Sequence, residues 1–377
     1  MKAGWATKPL GSVCTLQRGF DLPTQQRTQG IFPLVSSSGI IDTHNEAPVK
    51  APGVVTGRSG SVGNVFFIER DFWPLNTTLY VRDFHGNDPR FVFYLLSQFD
   101  LKRFAGGAGV PTLNRNDVHG VPVFVPDKIE EQQRIVAILD EAFAGIATAR
   151  SAAEQNRQNA RALFESYLQS VFSQRGEGWE ETTIADATGG VFTGPFGSLL
   201  HKSDYIENGI PLVNPAHITN VGIEPDLRKT VSAETAQRLS SYIMRTGDIV
   251  IGRRGEMGRC AIVTDAEDGW LCGTGSFVIK PSNRCDTSYL VRLLRSESCK
   301  SRLEEIAGGA VMPNLSNTAL GNFPIFLPPI DIQKAVLKEI DALHEQTQRL
   351  EALYQCKLEA LDELKQSLLH QAFSGNL

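Results

Sequence analysis

The chain repeats itself, and the two copies keep step only over their last forty or so residues. Gly4-Trp5 returns as Gly178-Trp179, 174 positions on, and Pro33-Leu34-Val35 returns as Pro211-Leu212-Val213, 178 on. Gly57-Arg58-Ser59-Gly60-Ser61-Val62-Gly63 returns 195 positions on as Gly252-Arg253-Arg254-Gly255-Glu256-Met257-Gly258, and Trp73 is matched to Trp270, 197 on. Gly106-Gly107-Ala108 and Pro111 return as Gly308-Gly309-Ala310 and Pro313, 202 on. From Gln132/Gln333 to Ser173/Ser374 the offset then holds at 201. Insertions settle in surface loops, whereas a long helix cannot take one without rotating its apolar face. Each copy therefore reads as a loop-rich globular domain followed by a rigid helix, a size that suits one domain each. The expected layout is domain 1–128, helix 129–175, domain 176–328 and helix 329–377.

The helices proper, about 130–173 and 331–374, lack proline and span roughly 60 Å each at 1.5 Å per residue. The second carries a 4-3 stripe: Val336, Ile340, Leu343, Thr347, Leu350, Tyr354, Lys357, Leu361, Leu364, Leu368. Moved back by the offset, the stripe is Ile135, Leu139, Ala142, Ile146, Ala149, Ala153, Asn156, Ala160, Leu163, Tyr167. Four alanines of the first stripe stand where the second has Leu or Tyr. An antiparallel pairing whose numbers sum to 503 sets Ala142 against Leu361, Ala149 against Tyr354, Ala153 against Leu350, and Leu163 against Ile340, so small residues meet large ones. A parallel pairing fits by size as well. Approximate two-fold symmetry between the copies favours the antiparallel one.

The globular parts read as mixed α/β. Short apolar runs bounded by Gly, Pro, Asn or Asp predict strands near 31–36, 53–56, 64–68, 78–82 and 121–125, with counterparts near 210–213, 248–251, 260–264, 276–280 and 323–327. Helices are expected over about 90–104 and 287–306. The fold class is two similar α/β globular domains separated by two long antiparallel helices, a coiled coil with a pseudo-two-fold internal repeat.

No enzyme motif is present. The chain has no Gly-Lys dipeptide, hence no phosphate-binding P-loop, and no G-x-G-x-x-G, G-x-S-x-G or H-E-x-x-H. Its seven histidines are scattered, and its six cysteines form no C-x-x-C pair or zinc spacing. Reduced thiols in a cytosolic protein are expected, with no metal and no membrane span. The start, Met1-Lys2-Ala3-Gly4-Trp5, gives no expectation of a signal peptide.

The recurring candidate is a glycine-punctuated basic loop: Arg58, Ser59 and Ser61 in the first copy, Arg253, Arg254 and Arg259 in the second. Glycine allows positive φ and close approach, and arginine can fork onto guanine or grip phosphate. The alternative is a hairpin turn with exposed arginine. A second candidate is Thr112, Asn114 and Arg115, matched by Asn314 and Ser316, for which a helix cap and turn is the competing reading. Lys202, Asn214 and His217 are weaker candidates. Charge divides unevenly: residues 1–128 hold 13 basic and 10 acidic side chains, net +3, and residues 176–328 hold 14 and 18, net −4.

The strand-to-helix passages Pro122-Val123-Phe124-Val125-Pro126, then Glu131-Gln132-Gln133-Arg134-Ile135, and Phe323-Pro324-Ile325-Phe326-Leu327-Pro328, then Gln333, resemble the specificity subunit of type I restriction-modification systems. The resemblance covers essentially the whole chain. The second copy has Ile332 where the family has Glu. The resemblance implies two target recognition domains, each reading one half of a split, asymmetric sequence in double-stranded DNA. It implies half-sites about 34 Å apart, one helical turn, spaced by the coiled coil. It also implies docking of two methyltransferase subunits and of restriction subunits, no catalysis on this chain, and S-adenosylmethionine, ATP and Mg on those partners. A self-contained DNA-modifying enzyme and a non-DNA protein scaffold are the readings from other classes.

Overall fold

The computed structural model describes residues 2–106, 111–173, 175–195, 199–308 and 314–377. The repeated Gly107-Ala108 and Gly309-Ala310 and the adjoining Val110, Met312 and Pro313 lie outside the described residues. The chain divides into two compact units, Met1–Asn156 with Leu353–Leu377, and Arg157–Ala352.

Unit 1 is built on an antiparallel sheet in the order Thr15–Arg18, Thr78–Asp83, Gly53–Gly57, Val65–Ile68. Gly53–Gly57 is buried throughout, as a central strand covered on both faces must be. A second sheet pairs Gly39–His44 with Phe32–Ser36 and adds Trp73–Pro74 in parallel. A ribbon of Trp5–Pro9 and Pro122–Pro126 ties the chain start to the strand that leads into the first long helix.

Unit 2 repeats this plan. Its main sheet runs Val191–Thr193, Ser276–Ile279, Ile249–Gly252, Cys260–Ile262. Ile210–Val213 pairs in parallel with Leu271–Cys272, and Glu180–Thr183 pairs with Pro324–Leu327. The registers give the true correspondence of the copies. Leu34 lies opposite Trp73 and Leu212 opposite Leu271, so the counterpart of Trp73 is Leu271 and the match to Trp270 is one residue out. Both expected domain helices are interrupted. Pro89–Gln98 is followed by a separate turn at Leu101–Phe104, and Thr287–Arg295 stops before Ser296, whose hydroxyl caps a new helix, Glu297–Ile306.

The long helices are Ile129–Ser173 and Ile330–Ser374. Each begins with a buried glutamine that knots three segments together. Gln132 accepts the Asp88 N–H at 2.9 Å and donates to Asn87 Oδ1 at 2.7 Å and to the Pro126 carbonyl at 3.2 Å. Gln333 accepts the Asp286 N–H at 2.7 Å and donates to the carbonyls of Arg284 and Pro328 at 2.9 and 2.8 Å. Asp88 and Asp286 in turn cap Pro89–Gln98 and Thr287–Arg295. The repeated strand–proline–glutamine passage thus fixes the angle at which each rod leaves its domain.

The helices run antiparallel. In unit 1, Ile135 and Leu139 share a core with Leu369, Ala372 and Phe373. In unit 2, Val171 and Phe172 share one with Ile340. Ala142, Leu343, Tyr354 and Leu361 are half-buried, and Ala153 is buried. The register is shifted by about a turn and a half. Lys365 lies over Phe143, and Phe164 packs on His344, each five residues along from the expected partner. Ala149, Leu163, Leu350 and Leu364 are exposed, although Ala149 and Leu364 still line one groove with Ala153, Tyr354 and Leu361. The bulky rings of Phe143 and Phe164 set the spacing, and a strict 4-3 reading drifts off the buried face of a helix near 3.6 residues per turn. Arg150–Asp362 in unit 1 and Arg161–Glu351 in unit 2, both at 2.5 Å, flank the contact.

Arg134 and Lys2 hold the Glu131 carboxyl at about 2, below its ordinary 4.5. A carboxylate with a depressed pKa stabilises the fold above its unfolded value, and that contribution is lost as pH falls through the folded value. As pH falls from 4.5 to about 2, unit 1 of the wild type is expected to lose about 1 kcal/mol more stability than the Glu131→Gln variant, a surface-pair magnitude. Urea unfolding at stepped pH checks this.

Among the described residues no helix is long and apolar enough to cross a membrane, and no cluster of three His, Cys, Asp or Glu is placed to hold a metal. Burial pushes the thiols of Cys14, Cys260, Cys272, Cys285 and Cys299 up to about 12, which makes them inert packing groups.

Candidate nucleic-acid interface

The basic loop takes the same form in both units. In unit 1 it leaves the central strand at Gly57, and the Arg58 N–H donates to the Thr77 carbonyl at 2.9 Å. The Arg58 carbonyl accepts the Leu113 N–H at 2.8 Å, and Ser59 bridges Thr112. In unit 2 the Arg253 N–H donates to Gly275 at 2.9 Å, its carbonyl accepts the Leu315 N–H at 2.9 Å, and Arg254 bridges Asn314. The two sequence candidates in each half are therefore one site, the second segment lying across the first. Gly63 and Gly258 carry φ of +88° and +73°, and a Cβ on either would come within 2.9 Å of a lysine stem, Lys102 or Lys300. These glycines are required for the turn. The two lysines beside them were missed from sequence, since neither lies in a repeated motif.

Side chains then differ. Arg58 donates to the Asn76 carbonyl at 3.1 Å and lines a polar cavity of about 940 Å³ together with Thr112, Asn114 and Arg115. Gln17, Arg18 and Arg82 form another wall of the same cavity. They lie on the sheet-edge strand Thr15–Arg18 and its neighbour Thr78–Asp83, and sequence reasoning passed over them because no second copy carries them. Ser61 is exposed at the loop tip, and Ser59 is half-buried.

In unit 2, Arg253 lies over the Phe277 ring at 5.3 Å, and its Nε donates to Asn314 Oδ1 at 3.1 Å. The exposed Arg254 shares that oxygen at 3.4 Å. Burial, and then the charge of Arg254, lower the pKa of Arg253 from its ordinary 12.5. Two guanidinium groups held on one amide oxygen make a site that favours an incoming anion or a doubly accepting base edge.

Several other candidates serve the scaffold. Asn114 and Ser316 cap Arg115–His119 and Asn317–Gly321, so the helix-cap alternative is what their side chains do. Asn214 Oδ1 accepts the Gly275 N–H at 3.5 Å and so buttresses the backbone that holds Arg253. His217 Nδ1 sits 2.9 Å from the Leu212 carbonyl, behind the same loop. Arg259 is tied to Glu256 at 2.7 Å. Lys202 is exposed on the short turn Lys202–Asp204.

Comparison with known proteins adds the family. The family described as "Type I restriction modification DNA specificity domain" matches residues 2–155 and 177–359. The chain is 25% identical over 315 residues to the Type I restriction enzyme MjaVIII specificity subunit of Methanocaldococcus jannaschii, covering 77% of this chain and 70% of that one. It is 20% identical to the Type I restriction enzyme EcoDI specificity subunit of Escherichia coli, over 99% of this chain and 88% of that one. In fold it is similar to a chain solved in a study of complex assembly and conformational transition of the type I R-M system, with a TM-score of 0.73, 19% identity and coverage of 100% and 99%. It is also similar to the HsdS subunit from Thermoanaerobacter tengcongensis, with a TM-score of 0.65, 19% identity and coverage of 100% and 98%. With both copies of the repeat matched, the chain belongs to the type I restriction-modification DNA specificity family.

Proposed function

We propose that this chain is the DNA-reading subunit of a type I restriction-modification assembly. Residues 1–128 and 176–328 act as two target recognition domains, and each reads one half of a bipartite, asymmetric sequence in double-stranded DNA. The helices, 129–175 and 329–377, space the half-sites and dock two methyltransferase subunits, with restriction subunits joining where the host has them. The chain itself is non-catalytic and works in the cytoplasm. S-adenosylmethionine, ATP and Mg belong to the partner subunits. Direct readers are Arg58, Ser59, Ser61, Thr112 and Arg115 in one domain and Arg253, Arg254 and Asn314 in the other, while Asn114, Asn214, His217 and Ser316 position them.

One observation carries this reading. The same crossed-loop scaffold is built twice, with Ser59, Thr112 and Arg115 at positions where the second copy has Arg254, Asn314 and Asn317. A constant frame with altered side chains is what two readers of different base sequences require. Replacing residues 1–128 by the equivalent domain of another family member is expected to change one half of the methylated sequence and leave the other half and the gap unchanged. Methylome mapping in cells that also carry the methyltransferase partner checks it. A change in both halves, or in neither, would defeat the proposal.

A further inference from the structure

The two units are not equally equipped to hold a polyanion. Four guanidinium groups (Arg18, Arg58, Arg82 and Arg115) and one carboxylate (Asp21) line the unit 1 cavity, a net of +3. Arg18 is 52% exposed and 3.2 Å from Asp21, and Arg82 reaches only the neutral Gln17, at 3.3 Å. Among the described residues Arg115 makes no hydrogen bond or ion pair, and it is exposed. Asp21 also accepts from Asn76, so the carboxylate sits at the rim as the one internal counter-charge.

Strand register identifies what stands at these places in unit 2. Gln17 pairs with Tyr80 and Arg18 with Leu79, while Phe192 pairs with Val278 and Thr193 with Phe277. Leu79 and Phe277 correspond, because each lies opposite the same central position, Thr56 or Ile251. Thus Phe192 replaces Gln17, and Thr193 replaces Arg18. Lys280 replaces Arg82, and its ammonium is tied at 2.6 Å to Asp248, whose side chain is buried. Asn317 replaces Arg115 and donates to the Val191 carbonyl at 3.0 Å. Arg18, Arg82 and Arg115 thus each have a neutral or ion-paired counterpart, whereas the counterpart of Arg58 is the cationic Arg253.

We propose that Arg18 and Arg82 form a clamp for the phosphates of the DNA backbone that unit 1 possesses and unit 2 lacks, so that unit 1 supplies the larger, salt-dependent share of duplex affinity. The inference rests on the DNA-recognition reading. The segment charges agree with it, at +3 for 1–128 against −4 for 176–328. Each phosphate neutralised releases condensed counterions and contributes about 0.9 to the slope of log affinity against log salt. A clamp of this kind acts on any sequence, whereas the crossed loops act on a particular one.

The test is the binding of the full chain to a fluorescently labelled random-sequence duplex of about 30 base pairs, which spans both half-sites, by anisotropy over a salt series. Arg18→Ala/Arg82→Ala is expected to lower the salt slope by about 1 to 2 and to weaken low-salt binding about tenfold. Asp21→Asn, which removes the counter-charge without cutting a guanidinium, is expected to tighten binding several-fold, and so keeps the test open if the double variant fails to fold. Thr193→Ala is expected to leave the slope unchanged. Unchanged slope and affinity in the double variant, or no tightening in Asp21→Asn, with the wild type binding normally, would overturn the clamp and leave DNA recognition standing. A loss confined to one target sequence at constant slope would also overturn it, since the arginines would then be base readers. A wild-type chain that binds no duplex at any salt would instead sink the DNA reading itself.

Discussion

Arg253→Ala is expected to weaken binding to the natural target by about 1–3 kcal/mol, tenfold to more than a hundredfold, with the loss confined to one half-site. The guanidinium is already ordered by the Phe277 ring and by Asn314, so little side-chain entropy remains to be lost when a base edge arrives. Its charge is also poorly compensated, with burial and Arg254 both opposing it. Truncation to alanine removes a preorganised fork that the rest of unit 2 is shaped to hold, through Gly275, Asn214 and the Leu315 N–H. Arg58→Ala should act in the same way on the other half-site. Competition between duplexes changed in one half at a time reads the effect: the variant should stop discriminating at one position and keep the rest. Arg253→Lys keeps the charge but not the fork. If it restores full discrimination, Arg253 is a phosphate grip and the base-reading role fails.

The repeat made most of the fold legible, and the limits of the repeat are where legibility stopped. The constant offset over the last forty or so residues of each copy located both rods to within three residues of their ends, because a helix cannot absorb an insertion. The crossed loops were visible as two separate candidates, Arg58 with Thr112 and Arg253 with Asn314, since their contact is made through space between segments more than fifty residues apart in sequence. Trp73 was matched to the wrong partner because identity of side chain outweighed a one-residue gap that only strand register exposes. The helix seam was misjudged at Leu163 for a similar reason: pattern alone does not say which of two adjacent apolar residues is turned inward, whereas the ring contact of Phe164 with His344 does. Gln17, Arg18 and Arg82 were illegible because they are what unit 1 does not share with unit 2, and a search for similarity passes over them.

Gln333→Leu is expected to destabilise unit 2 by about 3–5 kcal/mol, the range for breaking a buried hydrogen-bonded network, at nearly constant side-chain volume. The glutamine is 0% exposed, so no water replaces what it supplies. Leucine leaves the Asp286 N–H and the carbonyls of Arg284 and Pro328 unpaired at once, and each buried orphan costs about 1–3 kcal/mol. Gln132→Leu should cost unit 1 a similar amount, through Asp88, Asn87 and Pro126, with part of the loss eased by the longer 3.2 Å bond to Pro126. Urea unfolding followed by circular dichroism measures both, and the unfolding slope should change little because the surface exposed is the same. The consequence for function follows from where the glutamine sits. It joins the last domain strand, the rod and the aspartate that caps Thr287–Arg295, so loosening it frees the angle between reader and spacer before it frees the reader itself. Binding of an isolated half-site should therefore suffer less than binding of the full bipartite target. Equal losses on both would mean that the glutamine stabilises the domain alone and does not set the geometry of the rod.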